Sequence, residues 1–234
     1  MPSSRCNHVP IVISIIRQLK PESILDVGVG FGKWGHLFRE YTDVLASEAE
    51  PQRYHREHWR TRIDGIEGYA PYLTPMHEFL YNNIYVGDMR EKIRDVGMYD
   101  VIFLGDVIEH VDKTDGLQLL QDCLDHANRA VIVTTPALEA PQEAACNNEL
   151  EIHRSLWTTT DFESIGRCVT KVDENDTLIA VLLRENVKPP KCEPQLRRPR
   201  PRERTLWERV MRRMQNAGRP PQIHEPQETS VPPV

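Results

Sequence analysis

The sequence is short of several things, and each shortage closes off a class of protein. No apolar run comes near the ~20 residues that a membrane-spanning helix needs; the longest, residues 11–16, is far too short. The opening MPSSRCNHVP has no charged segment followed by an apolar one, so no secretory signal is expected. Cysteine is sparse: Cys6, Cys123, Cys146, Cys168 and Cys192 are odd in number, widely spaced and without a C-x-x-C pair. They are expected to be reduced thiols of a cytoplasmic protein, not a disulfide frame or a zinc site.

A surplus of positive charge is also missing from most of the chain. The net charge is −6, yet residues 188–219 hold eleven Lys/Arg against three Glu, which leaves −12 on residues 1–187. So acidic a body is a poor match for a nucleic-acid phosphate backbone. With 234 residues and 39% hydrophobic content, that body can bury one sizeable core. Ten of the 18 prolines fall in residues 186–234, so the expected division is a single folded domain over 1–187 and a disordered Pro/Arg-rich tail over 188–234. Within the tail, Leu206, Trp207, Val210, Met211 and Met214 recur at helical spacing among arginines. An amphipathic helix over 204–215 would suit an anionic membrane surface or an acidic partner.

What is present centres on residues 23–35, SILDVGVGFGKWG. Ile24, Leu25 and Val27 make an apolar β-run, glycines follow at 28, 30 and 32, and Trp34, Leu37, Phe38 and Tyr41 then share a helical face. Strand, glycine turn and helix is how a doubly wound sheet builds a nucleotide crevice at the carboxyl ends of its strands. The dinucleotide fingerprint G-x-G-x-x-G fails, because Lys33 stands where its third glycine belongs. That disfavours a nicotinamide oxidoreductase.

The pattern Asp26-x-Gly28-x-Gly30-x-Gly32 instead resembles motif I of the class I S-adenosylmethionine (SAM) methyltransferases. The resemblance implies an α/β fold: a doubly wound, mostly parallel seven-stranded sheet, helices on both faces and a C-terminal antiparallel hairpin. It implies SAM as cofactor and a methyltransferase activity. SAM carries an ammonium and a sulfonium, so a carboxylate beside the turn suits it. An acid ending the second strand, within residues 61–69, should hold the ribose diol; Glu67 fits best, with Asp64 as fallback. Asp26 and Glu67 lie 41 residues apart, because the charged segment 48–62, EAEPQRYHREHWRTR, lengthens the connection. That segment reads as a solvated surface insertion, or as a wall over the pocket. After a helix over 71–81, with Leu73, Met76, Phe79 and Leu80 inward, and a strand at 84–86, Gly87-Asp88-Met89 matches the segment near the adenine.

Residues 100–104, DVIFL, are strongly apolar after Asp100, as a central parallel strand should be, and they lead into Gly105-Asp106-Val107-Ile108-Glu109-His110. This resembles the D-x-x-E-H segment of small-molecule and O-directed methyltransferases. It implies Asp106 near the reacting end of the cofactor and Glu109 and His110 at the methyl acceptor. His110 would be a general base tuned by Glu109, with no metal. The alternative makes Asp106, Glu109, His110 and His153 ligands of a hard divalent ion, as in metal-assisted RNA 2′-O-methyltransferases. A non-catalytic SAM-binding module is a further alternative. A helix over 115–126, a buried strand over 130–134, and a hairpin over 168–172 and 177–183 complete the expected body. Trp157 is expected in the core or as a pocket wall. The acceptor is expected to be a small molecule or sugar-type hydroxyl or amine.

Overall fold

The computed structural model describes residues 6–194; the expected helix over 204–215 lies outside the described residues. Seven strands form one sheet: β1 (Ser23–Val27), β2 (Arg62–Glu67), β3 (Asn83–Val86), β4 (Tyr99–Gly105), β5 (Ala127–Pro136), β6 (Cys168–Val172) and β7 (Thr177–Leu183). Their order is β3-β2-β1-β4-β5-β7-β6. The first five are parallel, and β7 slots antiparallel between β5 and β6. The chain builds outward from β1 through β2 and β3, then returns to place β4 on the other flank of β1. That reversal opens a crevice at the carboxyl ends of β1 and β4. Register aligns the rim: Val27 pairs with both Ile66 and Leu104.

Strand alternation sends apolar side chains to both faces, as a sheet covered on each side requires. Ile24, Ile63, Val101, Phe103 and Ile132 pack against α1 (Val9–Leu19), α2 (Lys33–Thr42) and α3 (Pro75–Leu80). Leu25, Val27, Ile66, Ile102 and Leu104 pack against α4 (Met89–Asp95), α5 (Lys113–His126) and α6 (Thr159–Ile165). Each fully buried aliphatic side chain contributes about 1.5–3 kcal/mol. Trp157 is wholly buried and donates its indole N–H to Ile108 O (3.3 Å) and Ser155 Oγ (2.9 Å), so it is a core residue. Among the described residues no helix is long and apolar enough to cross a membrane.

Four details depart from the sequence pattern. The helix after the glycine turn stops at Thr42, and residues 44–58 form three short 3-10 turns. They are pinned by Asp43, fully buried, which accepts from Arg39 Nη1 (2.9 Å) and from Arg53. Thr74 caps α3 and Pro75 starts it, which turns His77 and Leu80 inward and leaves Met76 and Phe79 exposed. Helix α4 escapes the periodicity because Ile93 is its sole buried residue; its signal is Asp88, whose side chain accepts from Arg90 N. Lastly, residues 188–194 include a stretch held to α1: Lys191 N donates to Gln18 Oε1 (2.9 Å), and Cys192 is buried.

Candidate active site

The chain leaving β1 turns through positive φ at Gly28 (78°), Gly30 (53°) and Gly32 (86°). Glycine is required at 28 for space as well, since a Cβ there would sit 2.4 Å from Val107 Cγ2. The turn is then tied to β2. Gly28 N and Val29 N donate to Ile66 O (2.9 and 3.2 Å), and Gly30 N donates to Glu67 Oε2 (2.8 Å). The other oxygen, Glu67 Oε1, accepts from Tyr69 N (2.8 Å). Burial raises the Glu67 pKa, and the two amide donors oppose the shift. Between the two acids offered by β2, geometry selects Glu67. Asp64 points away and accepts from Tyr99 Oη (2.6 Å) inside the sheet.

Asp26 departs from expectation. It lies beneath the turn, 1% exposed, and does not line the cavity; nor does Gly32, which caps α2 behind the turn. The cause is alternation: Asp26 follows Leu25 to the opposite face, where Tyr81 Oη donates to its Oδ2 (2.6 Å). Oδ1 has no partner. Desolvation pushes the Asp26 pKa to about 7, with the Tyr81 hydrogen bond opposing and the Glu67 charge adding to the rise.

At the end of β3, Asp88 and Met89 line the same cavity as Glu67. Asp88 is engaged by Arg90, whose Nε donates to Oδ1 (3.0 Å) and which also bridges to Asp115 of α5. The Arg90 hydrogen bonds hold the Asp88 carboxyl below its ordinary range.

Across the crevice, Asp106 follows β4 with φ of 54° and accepts from Thr134 Oγ1 (3.1 Å). Residues 108–110 make a 3-10 turn that sends Glu109 inward, 2% exposed, where Thr135 Oγ1 donates to its Oε2 (3.0 Å). Burial and the nearby Asp106 charge push the Glu109 pKa well up. His110 faces His153, with ring centroids 4.9 Å apart, and its Nδ1 lies 3.4 Å from Ile152 O. A carbonyl can only accept, so that contact places the proton on Nδ1 and leaves Nε2 as the acceptor. Burial, then His153, lowers the His110 pKa. Ligand atoms of Glu109, His110 and His153 fall within 4.8 Å of one another; Asp106 is not part of that group.

One cavity of about 1000 Å³ joins these residues, at the upper end of the usual ligand-site range. It includes Gly28, Gly30, Glu67, Asp88, Met89 and Asp106, with Glu109, His110 and His153 beyond them. No residue of the 48–62 insertion lines it. What periodicity could not foresee is the loop after β5, which crosses back over β2. Glu151 accepts from Tyr72 Oη (3.1 Å), and Leu150 packs where a Cβ on Gly68 would stand. His77 and Tyr81, which hold the glycine turn from behind, were equally hidden; their signal is the Thr74-Pro75 helix start that orients them.

No family model and no curated protein matches the sequence. Solved structures do match. An O-methyltransferase family protein from Burkholderia thailandensis superposes with a TM-score of 0.50 at 12% identity, over 76% of this chain and 55% of its own. The N-terminal domain of EvdMO1, solved in the presence of S-adenosylhomocysteine (SAH) and D-fucose, gives 0.52 at 13% identity, over 76% and 83%. The chain has the class I SAM-methyltransferase fold. A protein from Pyrococcus horikoshii OT3 gives 0.52 at 14% identity, over 79% of this methyltransferase-fold chain and 88% of its own. The chain spans about half the length of the Burkholderia protein.

Proposed function

We propose that the protein is a SAM-dependent methyltransferase acting on an oxygen or nitrogen of a small-molecule or sugar-type acceptor. The observation that carries this reading is a single cavity joining the glycine turn and Glu67 at one end to Asp106 and His110 at the other. SAM supplies an activated methyl on a cationic sulfur; the C–S bond breaks with its electron pair staying on sulfur. Glu67 keeps lone pairs for a ribose diol, since each of its oxygens takes only one amide hydrogen bond. Asp88 and Met89 line the adenine end. His110, neutral and with Nε2 as acceptor, takes the proton that the acceptor hydroxyl or amine gives up. Asp106, at the end of β4, faces the reacting end. Alignment of acceptor and methyl does most of the chemical work. The cytoplasm is the compartment this reading suits.

The grouping of Glu109, His110 and His153 favours one second reading, in which they hold a divalent ion that lowers the acceptor hydroxyl's pKa, as a metal-assisted 2′-O-methyltransferase would. Carboxylate and imidazole donors fit such an ion, but Glu109 must first lose the proton that its burial favours.

Calorimetric titration with SAH, alongside NAD and with and without EDTA, tests both. Micromolar SAH binding with none for NAD supports the methyltransferase, and no SAH binding removes it. Metal content that survives dialysis and is stripped by EDTA supports the second reading.

A further inference from the structure

We infer that His77 and Tyr81 are positioning residues for the cofactor turn, and that Arg39 of α2 and the 48–62 insertion are their buttress. The inference rests on the SAM reading for its ligand, but its geometry stands independently. Gly30 is held on both sides of its backbone: its N–H by Glu67, and its carbonyl by His77 Nε2 at 3.0 Å. The tautomer is fixed from behind. Thr74 N donates to His77 Nδ1 (2.9 Å), and a backbone N–H can only donate, so the ring proton is on Nε2 and points at Gly30 O. His77 is 1% exposed, so water does not compete for the contact.

Four residues on, Tyr81 stacks against His77 (centroids 6.3 Å apart, planes 17° apart). Its hydroxyl donates to Asp26 and accepts from Gly35 N (3.1 Å), joining the end of β1 to the first turn of α2. A Cβ on Gly35 would stand 2.3 Å from Tyr81 Oη, so the close approach needs glycine there. The turn is thus fastened at Gly30, at Asp26 and at Gly35 by two side chains one helical turn apart.

Helix α3 has six residues, too few to be rigid alone. Arg39 of α2, together with the insertion, supplies what it lacks. Arg39 donates to Leu80 O through Nε (3.1 Å) and Nη2 (2.9 Å), and Arg56 donates to Glu78 O (3.0 Å). Trp59 lies edge-on to Phe79 at 5.3 Å, under the Arg39 guanidinium at 4.5 Å. These contacts close the carboxyl end of α3, while Thr74 and Pro75 close its start. The insertion therefore acts on the cavity without lining it, through α3 and His77.

Two isosteres separate positioning from mere stability. In His77→Gln the side-chain amide N–H reaches as far as Nε2 and can still meet Gly30 O. In His77→Asn the amide reaches only the Nδ1 position and can serve the Thr74 cap alone. SAH affinity in the full-length protein should fall about tenfold in His77→Asn, the value of one buried hydrogen bond, and stay within about threefold in His77→Gln. Melting temperatures of the two should agree. Amide hydrogen exchange over residues 28–35, measured without ligand, should quicken in His77→Asn and not in His77→Gln. Equal exchange and equal affinity in the two variants would overturn the inference, as would Gln behaving worse than Asn. If wild type fails to bind SAH while the exchange difference persists, the clamp stands and the cofactor reading falls.

Discussion

The two ends of the cavity are built by different means. Around Gly28, Gly30 and Glu67 the polar groups already have partners within the chain, and most of those partners are backbone amides and carbonyls. Around His110 and His153 the groups sit on loops, next to each other and to a carboxyl whose pKa burial pushes well up. Backbone hydrogen bonds fix a shape before any ligand arrives; titratable side chains on loops supply reactivity and choice of ligand. One end is therefore a preformed cradle, and the other is a set of titratable side chains carried by loops.

The difference should appear as a crossover in paired variants. Glu67→Ala leaves two amides, of Gly30 and Tyr69, without an acceptor and removes the proposed ribose ligand. SAH affinity should fall about 100-fold or more, at two charge-assisted hydrogen bonds of about 1.5–3 kcal/mol each. His110→Ala should do the reverse, cutting turnover about 100-fold, as loss of a general base does, with SAH affinity within about twofold. Calorimetry and initial rates on the same preparations decide it. Matching losses in both quantities for either variant would break the division between the two ends.

The cradle carries a cost that pH exposes. Asp26, with one unpartnered oxygen, keeps its proton up to about pH 7 in the folded chain, whereas an ordinary aspartate loses it near 3.8. Between those values the folded state holds a proton that the unfolded state lacks, so stability from this group is greatest below the lower value. It is lost progressively as pH rises to about 7. Asp26→Asn removes the titration while keeping an acceptor for Tyr81. Its stability relative to wild type should rise by about 2 kcal/mol between pH 5.5 and pH 8, at 1.36 kcal/mol per pKa unit. Denaturant melts at the two pH values measure it, and a constant difference would show that Asp26 is ionised throughout. A buried acid that weakens the fold at neutral pH, beside the proposed site of a cationic cofactor, is where function outweighs stability.

How much of this was legible in the sequence follows the same division. The apolar residues Ile24, Leu25, Val27 and 101–104 and the spacing of Gly28, Gly30 and Gly32 are local signals, and they yielded the sheet and the turn. Asp26 was misplaced relative to the cavity because a β-run tells which residues alternate but not which face the ligand takes. The Asp106–His110 segment was legible as a cluster, but a 3-10 turn, not an α-turn, sets its geometry and separates Asp106 from the Glu109, His110 and His153 group. His77 and the loop to Glu151 act over 47 and 79 residues, on Gly30 and Tyr72 respectively, and no window of sequence contains such contacts. The insertion looked like loose surface because nothing local showed that Arg56 ends on a carbonyl of α3 or that Trp59 packs against Phe79.

Within the cradle itself, the Asp88 end should prove the weakest point. Here the fastening is an ion-pair relay from Asp88 through Arg90 to Asp115, with side chains 34%, 46% and 45% exposed. Exposed pairs are screened by salt and contribute about 0–1 kcal/mol, unlike the buried amide contacts at Gly30. Arg90→Ala frees Asp88 as much as it loosens it, because the carboxylate loses its partner but keeps the Arg90 backbone amide at 2.9 Å as a helix cap. SAH affinity should therefore change by no more than about threefold, and the change should shrink further in 0.5 M salt. The same salt should leave the His77→Asn effect untouched, since that contact joins a buried imidazole to a backbone carbonyl and is not an ion pair. A large, salt-resistant loss in Arg90→Ala would mean that the guanidinium itself touches the ligand, and the cradle would then depend on a side chain at its Asp88 end as well.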